Sequence, residues 1–291
     1  MQRKSRGGME SRGDQLDLKL LLDTPPWDWP RDAGKRFHQI LTDGKASESD
    51  RLIAAELAGD LTVINDALAD VLLGIVGNAG HPEELRATAA ISLGPVLEHA
   101  DTSEFDDYDD VAISEHTFHR IQLTLHKLYL DDSVPVLVRR RILEASVRAQ
   151  EDWHREAISH AYSSGDRDWM LTAVFAMERV RGFDDQILEA LKSSDPEIHY
   201  EAVSAAGNWE LESAWEHIAG LVGDSATPKP LLLAAIGAVA SIRPKEAREM
   251  LDGLTESDDE EIAEAAEEAI AMAFVDEDSD EDDDEEEDWI N

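Results

Sequence analysis

Histidines are the residues of this chain best suited to bind a metal ion, and six of the ten fall on the second helices of the helical hairpins that the hydrophobic pattern predicts. The six are His116, His119, His126, His154, His160 and His217. His116 and His119 are three residues apart and His119 and His126 are seven apart, so these three lie on one side of a helix. Histidine pairs can hold a metal. No carboxylate–histidine spacing is diagnostic of such a site, so polar residues on partly exposed helices are the competing interpretation.

Arginines form one basic cluster in an otherwise acidic chain: Arg139, Arg140 and Arg141, followed by Arg148 and Arg155. Consecutive arginines spread around a helix, so they cannot all face one partner. We expect them to neutralise neighbouring carboxylates, including an acidic stretch at residues 101–110. A further hypothesis is that the acidic C-terminal tail or this stretch docks on the cluster until a partner displaces it.

Aromatic residues offer another class of contact. Trp153, Trp209 and Trp215 lie near the same predicted helices or in the turns before them. Aromatic side chains in such places are either binding anchors or packing between neighbouring elements, and the sequence leaves both interpretations open.

Motifs of common enzymes are absent from the sequence. It contains no phosphate-binding loop, no Gly-x-Ser-x-Gly turn and no dinucleotide-binding fingerprint. The chain has no cysteine, which excludes disulfides, thiol nucleophiles, iron–sulfur clusters and cysteine-ligated zinc. Carboxylates are so numerous that no pair stands out as an acid–base couple. We therefore predict no catalytic residues, no metal and no cofactor.

The formal charge of −39 restricts the partners of the chain. Residues 276–288 hold twelve acidic residues, so the remainder still carries −27. Such a body repels nucleic acids and anionic membranes and favours a basic protein as partner, although solubility alone would also explain the charge. No signal peptide and no apolar run of ~20 residues is present, and we expect a cytoplasmic protein.

The elements that would position these side chains recur along the chain. Ala145, Ala176, Ala205, Ala238 and Ala269 follow one another at steps of 31, 29, 33 and 31 residues. Each lies on a helix with small residues on one side, which we call the first helix of its repeat. Self-similarity with a period near thirty is typical of a helical solenoid.

The copy at residues 195–207 shows the local signals best. Asp195 can cap a helix, Pro196 suits the first turn, and Gly207 ends the run. A second amphipathic helix follows each first helix. The predicted second helices span residues 61–76, 114–130, 151–162, 184–192, 212–222 and 245–254.

These units resemble bacterial HEAT-like repeats of the type known from phycobilisome lyases. The residues that carry the resemblance are Arg51, Ala54, Gly59, Arg86, Ala89, Gly94, Asp195, Pro196, Ala202, Ala205, Ala206 and Gly207. The resemblance implies a curved right-handed stack, with first helices outside and second helices lining a concave face. The family includes scaffolds, adaptors, lyases and hydroxylases. Deoxyhypusine hydroxylases of this type bind iron through His-Glu dipeptides, and no histidine here precedes a glutamate.

The predicted domain organisation has four parts. Residues 1–15 are a disordered N-terminus, and residues 16–45 form a cap with a Pro/Trp segment, whose tryptophans either cover the first repeat or form an exposed docking element. Residues 46–273 are the solenoid of about six hairpins plus a terminal helix, with an acidic loop inserted at 98–112. Residues 274–291 are a disordered acidic tail.

The sequence therefore predicts an all-α solenoid that acts as a non-catalytic protein–protein interaction scaffold and binds its partner on the concave face. One alternative is a metal-binding or lyase-type enzyme that uses histidines on the second helices. Another is an acidic chaperone that sequesters basic proteins. The predicted partner-binding residues are His119, Arg120, Lys127, Trp153, His154, Arg155, Trp215 and His217.

Overall fold

The computed structural model describes residues 17–103 and 112–283, with side chains described up to residue 273. Every regular element in those ranges is helical, which confirms the all-α fold class. The chain divides into two compact units, Met1–Ala149 and Gln150–Asn291, which we call unit 1 and unit 2. None of the described helices combines the length and the apolar content that a membrane span requires.

Unit 1 consists of short helices that pack against one another within the unit. They are α1 (Leu18–Leu22), α2 (Ala33–Thr42), α3 (Glu48–Leu57), α4 (Asp66–Gly77), α5 (Glu83–Ile91), α6 (Gly94–Thr102), α7 (Glu115–Tyr129) and α8 (Val136–Ser146). First helices α3, α5 and α8 pack in sequence against one another, and the second helices α4 and α7 also pack side by side.

Unit 2 repeats this arrangement. Its helices are α9 (Trp153–Ser163), α10 (Arg167–Met177), α11 (Asp184–Ala190), α12 (Pro196–Asn208), α13 (Trp215–Gly223), α14 (Lys229–Ile242), α15 (Pro244–Leu251) and α16 (Glu260–Asp283). The first helices α10, α12, α14 and α16 pack one on the next. The second helices α11 and α13 pack mainly against the first helices that follow them, α12 and α14 respectively, and α15 packs against both α14 and α16.

Helix starts follow the capping signals of the sequence. The Asn65 side chain accepts hydrogen bonds from the main-chain N–H groups of Ala67 and Leu68. The Asp195 carboxylate accepts hydrogen bonds from those of Glu197 and Ile198. Each cap satisfies donors that have no partner within the helix. The boundaries that position the second helices are therefore encoded locally.

Small residues allow consecutive first helices to approach closely. A Cβ atom added to Gly59 of the α3 end would lie 2.3 Å from the Ser92 main-chain oxygen, and one added to Gly207 of α12 would lie 2.8 Å from Ala238 Cα of α14. The residues at the predicted repeat positions are all buried in their units. They are Ala145, Ala176, Ala205, Ala238 and Ala269. Stacked helical hairpins, as predicted, are thus the fold of each unit.

The N-terminal cap uses one of its two tryptophans for packing. The Trp29 ring meets Phe37 edge-on, with ring centroids 5.7 Å apart, and its indole nitrogen donates to the Thr24 main-chain oxygen at 2.8 Å. Trp27, in a 3₁₀ turn at Pro26–Asp28, is 79% exposed. Trp29 therefore packs against α2 within the cap, whereas Trp27 projects into solvent.

Two predicted segment boundaries differ from the structure. Residues 98–102, which we predicted as the start of an inserted acidic loop, belong to α6, because Val96, Leu97 and Ala100 give that segment a buried side. Residues 104–111 of the predicted loop lie outside the described residues. Helix α16 continues to Asp283, past the predicted end at residue 273, since extending a formed helix costs less than starting one. The predicted disorder of residues 1–15 and 284–291 also falls outside the described ranges.

Candidate functional site

Helix α7 carries three of the predicted partner-binding residues and is held by a buried apolar side. Phe118, Ile121 and Leu125 face the core of unit 1 and are at most 5% exposed. The opposite side of the helix is exposed along its whole length. We call this side the α7 surface, which consists of His116, His119, Leu123, Lys127 and Leu130.

Two large apolar side chains project from the α7 surface. Leu123 is 70% exposed and Leu130 is 67% exposed. They are seven residues apart, which places them two helical turns, roughly 10 Å, apart on the same side. Lys127 lies between them along the helix and is exposed. A single exposed leucine is ordinary, but an aligned pair around a cation is a candidate contact patch.

Helix α4 lies beside α7 and runs parallel to it. The Ser114 main-chain N–H donates to Asp66 Oδ1 at 2.8 Å, and Arg120 of α7 forms an ion pair with Asp70 of α4. Continuing this register places Gly74 of α4 about level with Leu123. A Cβ atom at Gly74 would meet nothing within 4 Å, so the surface of α4 is open at this position.

Hydrogen bonds fix the start of this helix pair. Burial alone would raise the pKa of Asp66, but bonds from the Ser114 main chain and from the Thr117 and Ser114 hydroxyls hold that pKa below its usual range. Asp66 therefore stays ionised at neutral pH and joins α4 to α7. Arg120, a predicted binding residue, is committed to Asp70 and Thr117.

His119 is oriented by its own helix. Its Nδ1 lies 3.1 Å from Gln122 Oε1, and its Nε2 lies 3.7 Å from Glu115 Oε1. The ring is held against the helix surface and remains exposed. It can therefore border the leucine patch as a polar neighbour.

The α9 residues of the predicted set mainly support the local fold. His154 is completely buried, and its Nδ1 accepts the Glu151 main-chain N–H at 2.9 Å. The ring centroids of Trp153 and His154 lie 3.9 Å apart. The Trp153 indole N–H donates a hydrogen bond to Glu151 Oε2 at 3.0 Å. The Arg155 guanidinium lies 5.7 Å from the Phe183 ring centroid. We leave the buried His154 out of the proposed binding surface.

Trp215 and His217 begin helix α13 and have different environments. Trp215 is 8% exposed, and the Arg243 guanidinium lies over its ring, 4.9 Å from the ring centroid. The same guanidinium forms an ion pair with Glu212. His217 is exposed, and its Nε2 lies 2.8 Å from Nε2 of His199. Trp215 therefore packs within unit 2, which is one of the two roles that the sequence left open.

His199 was missed by the sequence analysis because it lies on a first helix, α12. Only histidines on second helices were considered, and no spacing rule joins positions 199 and 217 across a hairpin. Burial lowers the pKa of His199, and the charge of His217 lowers it further; burial also lowers the pKa of His217. Among the residues that the structure describes, no group of three or more His, Asp or Glu side chains is placed to hold a metal.

The arginine cluster is neutralised locally, as expected. Arg139 pairs with Asp132 at 2.8 Å, Arg141 pairs with Glu144, and Arg148 pairs with Glu98 of α6 at 2.6 Å. The hypothesis that the acidic tail or the stretch at residues 101–110 docks there stays untested, because residues 104–111 and 284–291 lie outside the described ranges and no side chain after residue 273 is described.

Comparison with known proteins identifies no family. No family model matches the sequence, and no curated protein matches it. Solved structures that resemble it include human deoxyhypusine hydroxylase in complex with glycerol, at 13% identity over 89% of this chain and 88% of that chain, with a TM-score of 0.39. The Escherichia coli protein YibA is 17% identical over 87% and 90%, with a TM-score of 0.45. A designed armadillo repeat protein is 15% identical over 81% and 98%, with a TM-score of 0.30. These likenesses concern helical architecture.

Proposed function

We propose that this chain is a non-catalytic, HEAT-like interaction scaffold that binds a partner protein on the α7 surface of unit 1. The observation that carries the proposal is the exposure of Leu123 and Leu130, aligned on one side of a helix whose other side is buried. Neither leucine is needed to hold α7 in place, because Phe118, Ile121 and Leu125 supply its packing.

The energetic argument rests on apolar area. Fully burying a leucine side chain that is otherwise exposed is worth about 1.5–3 kcal/mol. Two such residues at the centre of a contact could act as its principal anchors, while His116 and His119 form a polar border. The open surface of α4 at Gly74 would admit a side chain of the partner.

Charge favours a partner segment with carboxylates between apolar side chains. Lys127 lies between the two leucines and is exposed, so an acidic side chain opposite it would be attracted. Unit 1 carries 17 Lys and Arg against 26 Asp and Glu, a formal charge of −9. Unit 2 carries 9 against 39, a formal charge of −30. The basic partner expected from the total charge would therefore be attracted mainly to unit 2, which does not include the α7 surface.

The alternative function as an acidic chaperone differs from the scaffold in its dependence on the C-terminal tail. An acidic chaperone would depend on the tail, and deletion of residues 276–291 would abolish its binding of basic proteins. A scaffold that binds at α7 would keep its partner after that deletion. A cytoplasmic location remains part of the proposal.

The proposal is tested by comparing variants in which one exposed leucine becomes charged. Wild-type protein, L123E, L130E and the control L20E are used to capture proteins from an extract of the source cells. Leu20 is 63% exposed on α1 of the same unit, so L20E matches the change in charge and exposure. Proteins recovered by the wild type are identified, purified and titrated against all four chains.

The expected result is one partner that binds the wild type and L20E equally and binds L123E at least about tenfold more weakly, equivalent to about 1.4 kcal/mol. Circular dichroism and thermal unfolding confirm that each variant is folded. Equal affinity for L123E, L130E and the wild type would overturn the proposal.

A further inference from the structure

We infer that His199 and His217 form a two-histidine site for an imidazole-preferring divalent transition metal, Zn²⁺ or Cu²⁺, in unit 2. Their Nε2 atoms lie 2.8 Å apart, with ring planes inclined at 56°. Two ring nitrogens therefore point at one position from different helices. The site is independent of the α7 surface, which belongs to unit 1.

Both rings are carried by well-anchored helices. His199 follows Ile198, which is 2% exposed, in the first turns of α12, and Asp195 caps that helix. His217 precedes Ile218, which is fully buried in α13. The flanking isoleucines fix the backbone on both sides of the pair. Side chains on packed helices hold ligand geometry better than side chains on loops.

The ligand chemistry suits a transition metal. Neutral imidazole nitrogen binds zinc at about 2.0–2.1 Å, and tetrahedral geometry would separate two such nitrogens by roughly 3.4 Å. A small rotation of the exposed His217 ring provides that separation. Imidazole ligands also suit Cu²⁺, which binds nitrogen sites more tightly than Zn²⁺ does.

The hydrogen between the two rings determines how the pair can bind a metal. A short contact between two imidazole nitrogens requires one to donate a hydrogen and the other to accept it. For both Nε2 atoms to bind a metal ion, the donor ring must carry its hydrogen on Nδ1 instead of Nε2, so that each ring binds as a neutral imidazole and no net proton is released.

The surroundings favour a cation as well. Unit 2 has a formal charge of −30, which raises the local concentration of positive ions. His217 is exposed, so the remaining coordination positions are open to water or to a donor from a bound molecule. Two protein ligands with open positions describe a site that binds metal reversibly.

Calorimetric titration of the full chain with ZnCl₂ and CuCl₂, in excess Mg²⁺, tests the inference. Mg²⁺ prefers carboxylate oxygens and therefore suppresses binding to the acidic residues. The variants are H199Q and H217Q, and H160Q is the control because His160 is an exposed histidine of the same unit. Two separate ligand variants keep the test valid if either one fails to fold.

The expected result is one saturable site in the wild type and in H160Q, with affinity reduced at least about tenfold in H199Q and H217Q. The apparent Tm of the wild type rises with added metal, and that of H217Q does not. Absence of saturable binding in excess Mg²⁺, or equal binding by the wild type and both variants, would overturn the inference.

Discussion

The indole nitrogen of Trp209 donates a hydrogen bond to the main-chain oxygen of Met177, 2.6 Å away and one repeat earlier in the chain. The Asn208 side-chain amide donates a hydrogen bond to the main-chain oxygen of Glu178, also at 2.6 Å. The last carbonyls of a helix have no partner within it, so α12 satisfies groups at the end of α10. The Arg181 guanidinium covers the Trp209 ring at 4.4 Å. Consecutive repeats are thus joined by directional bonds as well as by small-residue packing.

Replacement of Trp209 by phenylalanine tests this link. W209F keeps an aromatic ring beneath Arg181 but removes the donor to Met177, so the free energy of unfolding should fall by about 1 kcal/mol. W27F is the control, since Trp27 is largely exposed, and its effect should stay within about 0.5 kcal/mol. Urea unfolding followed by circular dichroism measures both. Equal stability of W209F and W27F would show that the bond contributes nothing.

The close approach of α12 to α14 predicts opposite effects for two glycine substitutions. In G207A the new methyl group would lie 2.8 Å from Ala238, and overpacking should destabilise the protein by about 1–3 kcal/mol. In G237A, on α14, the methyl group meets nothing within 4 Å, and the better helix propensity should add about 0.5–1 kcal/mol. The comparison uses denaturant midpoints. Stabilisation by G207A would contradict the stacking register.

Ion pairs at the other end of the first helices predict specific pKa changes. A hydrogen bond from Arg167 lowers the pKa of Asp195, and one from Lys229 lowers the pKa of Asp259. R167Q should raise the pKa of Asp195 and leave that of Asp259 unchanged. K229Q should raise the pKa of Asp259 and leave that of Asp195 unchanged. Carbon-13 NMR titration of the carboxyl groups measures both values.

The sign of the stability effect follows from these pairs. A carboxyl group whose pKa is lowered by folding stabilises the protein above its unfolded pKa, and this contribution is lost as the pH falls. R167Q should therefore show a shallower loss of stability in acid than the wild type. An unchanged Asp195 pKa in R167Q would show that the cap bonds to Glu197 and Ile198 alone set it.

The histidine pair predicts a second pH effect, near neutrality. Folding lowers the pKa of His199 and of His217, so the unfolded chain binds more protons just below the ordinary histidine pKa of about 6.5. Stability should be fully present above about pH 6.5 and decline as the pH falls below it. H217Q should make this decline shallower, whereas H160Q should not. Thermal unfolding across this pH range measures the pH dependence of stability. An equal dependence in the wild type, H217Q and H160Q would refute the effect.

Much of the fold could be predicted because its signals are local and periodic. The alanine series from Ala145 to Ala269 and caps such as Asp195 mark the first helices directly. Helix α6 was missed because its acidic C-terminal end resembled a loop, although Val96 and Leu97 bury its apolar side. The His199–His217 contact could not be predicted, since no residue period relates a first helix to the start of the following second helix.

The binding surface was predictable only in part. Residues His119 and Lys127 were selected for their position on a second helix, and both are exposed on α7. Leu123 and Leu130 were not among the predicted binding residues, because an apolar residue in an amphipathic helix is usually a core residue. Which leucines face outward depends on where α4 and α8 contact α7, and that is a tertiary property.

The most direct test of the scaffold proposal is photocrosslinking from position 123. A photoreactive amino acid replaces Leu123 in one chain and Leu20 in another, and each is irradiated with the purified partner identified by the L123E comparison. The account predicts a crosslink from position 123 that excess wild-type protein competes away, and none from position 20. Partner bound at full affinity without a crosslink from position 123, or with crosslinks from position 20 alone, would contradict it.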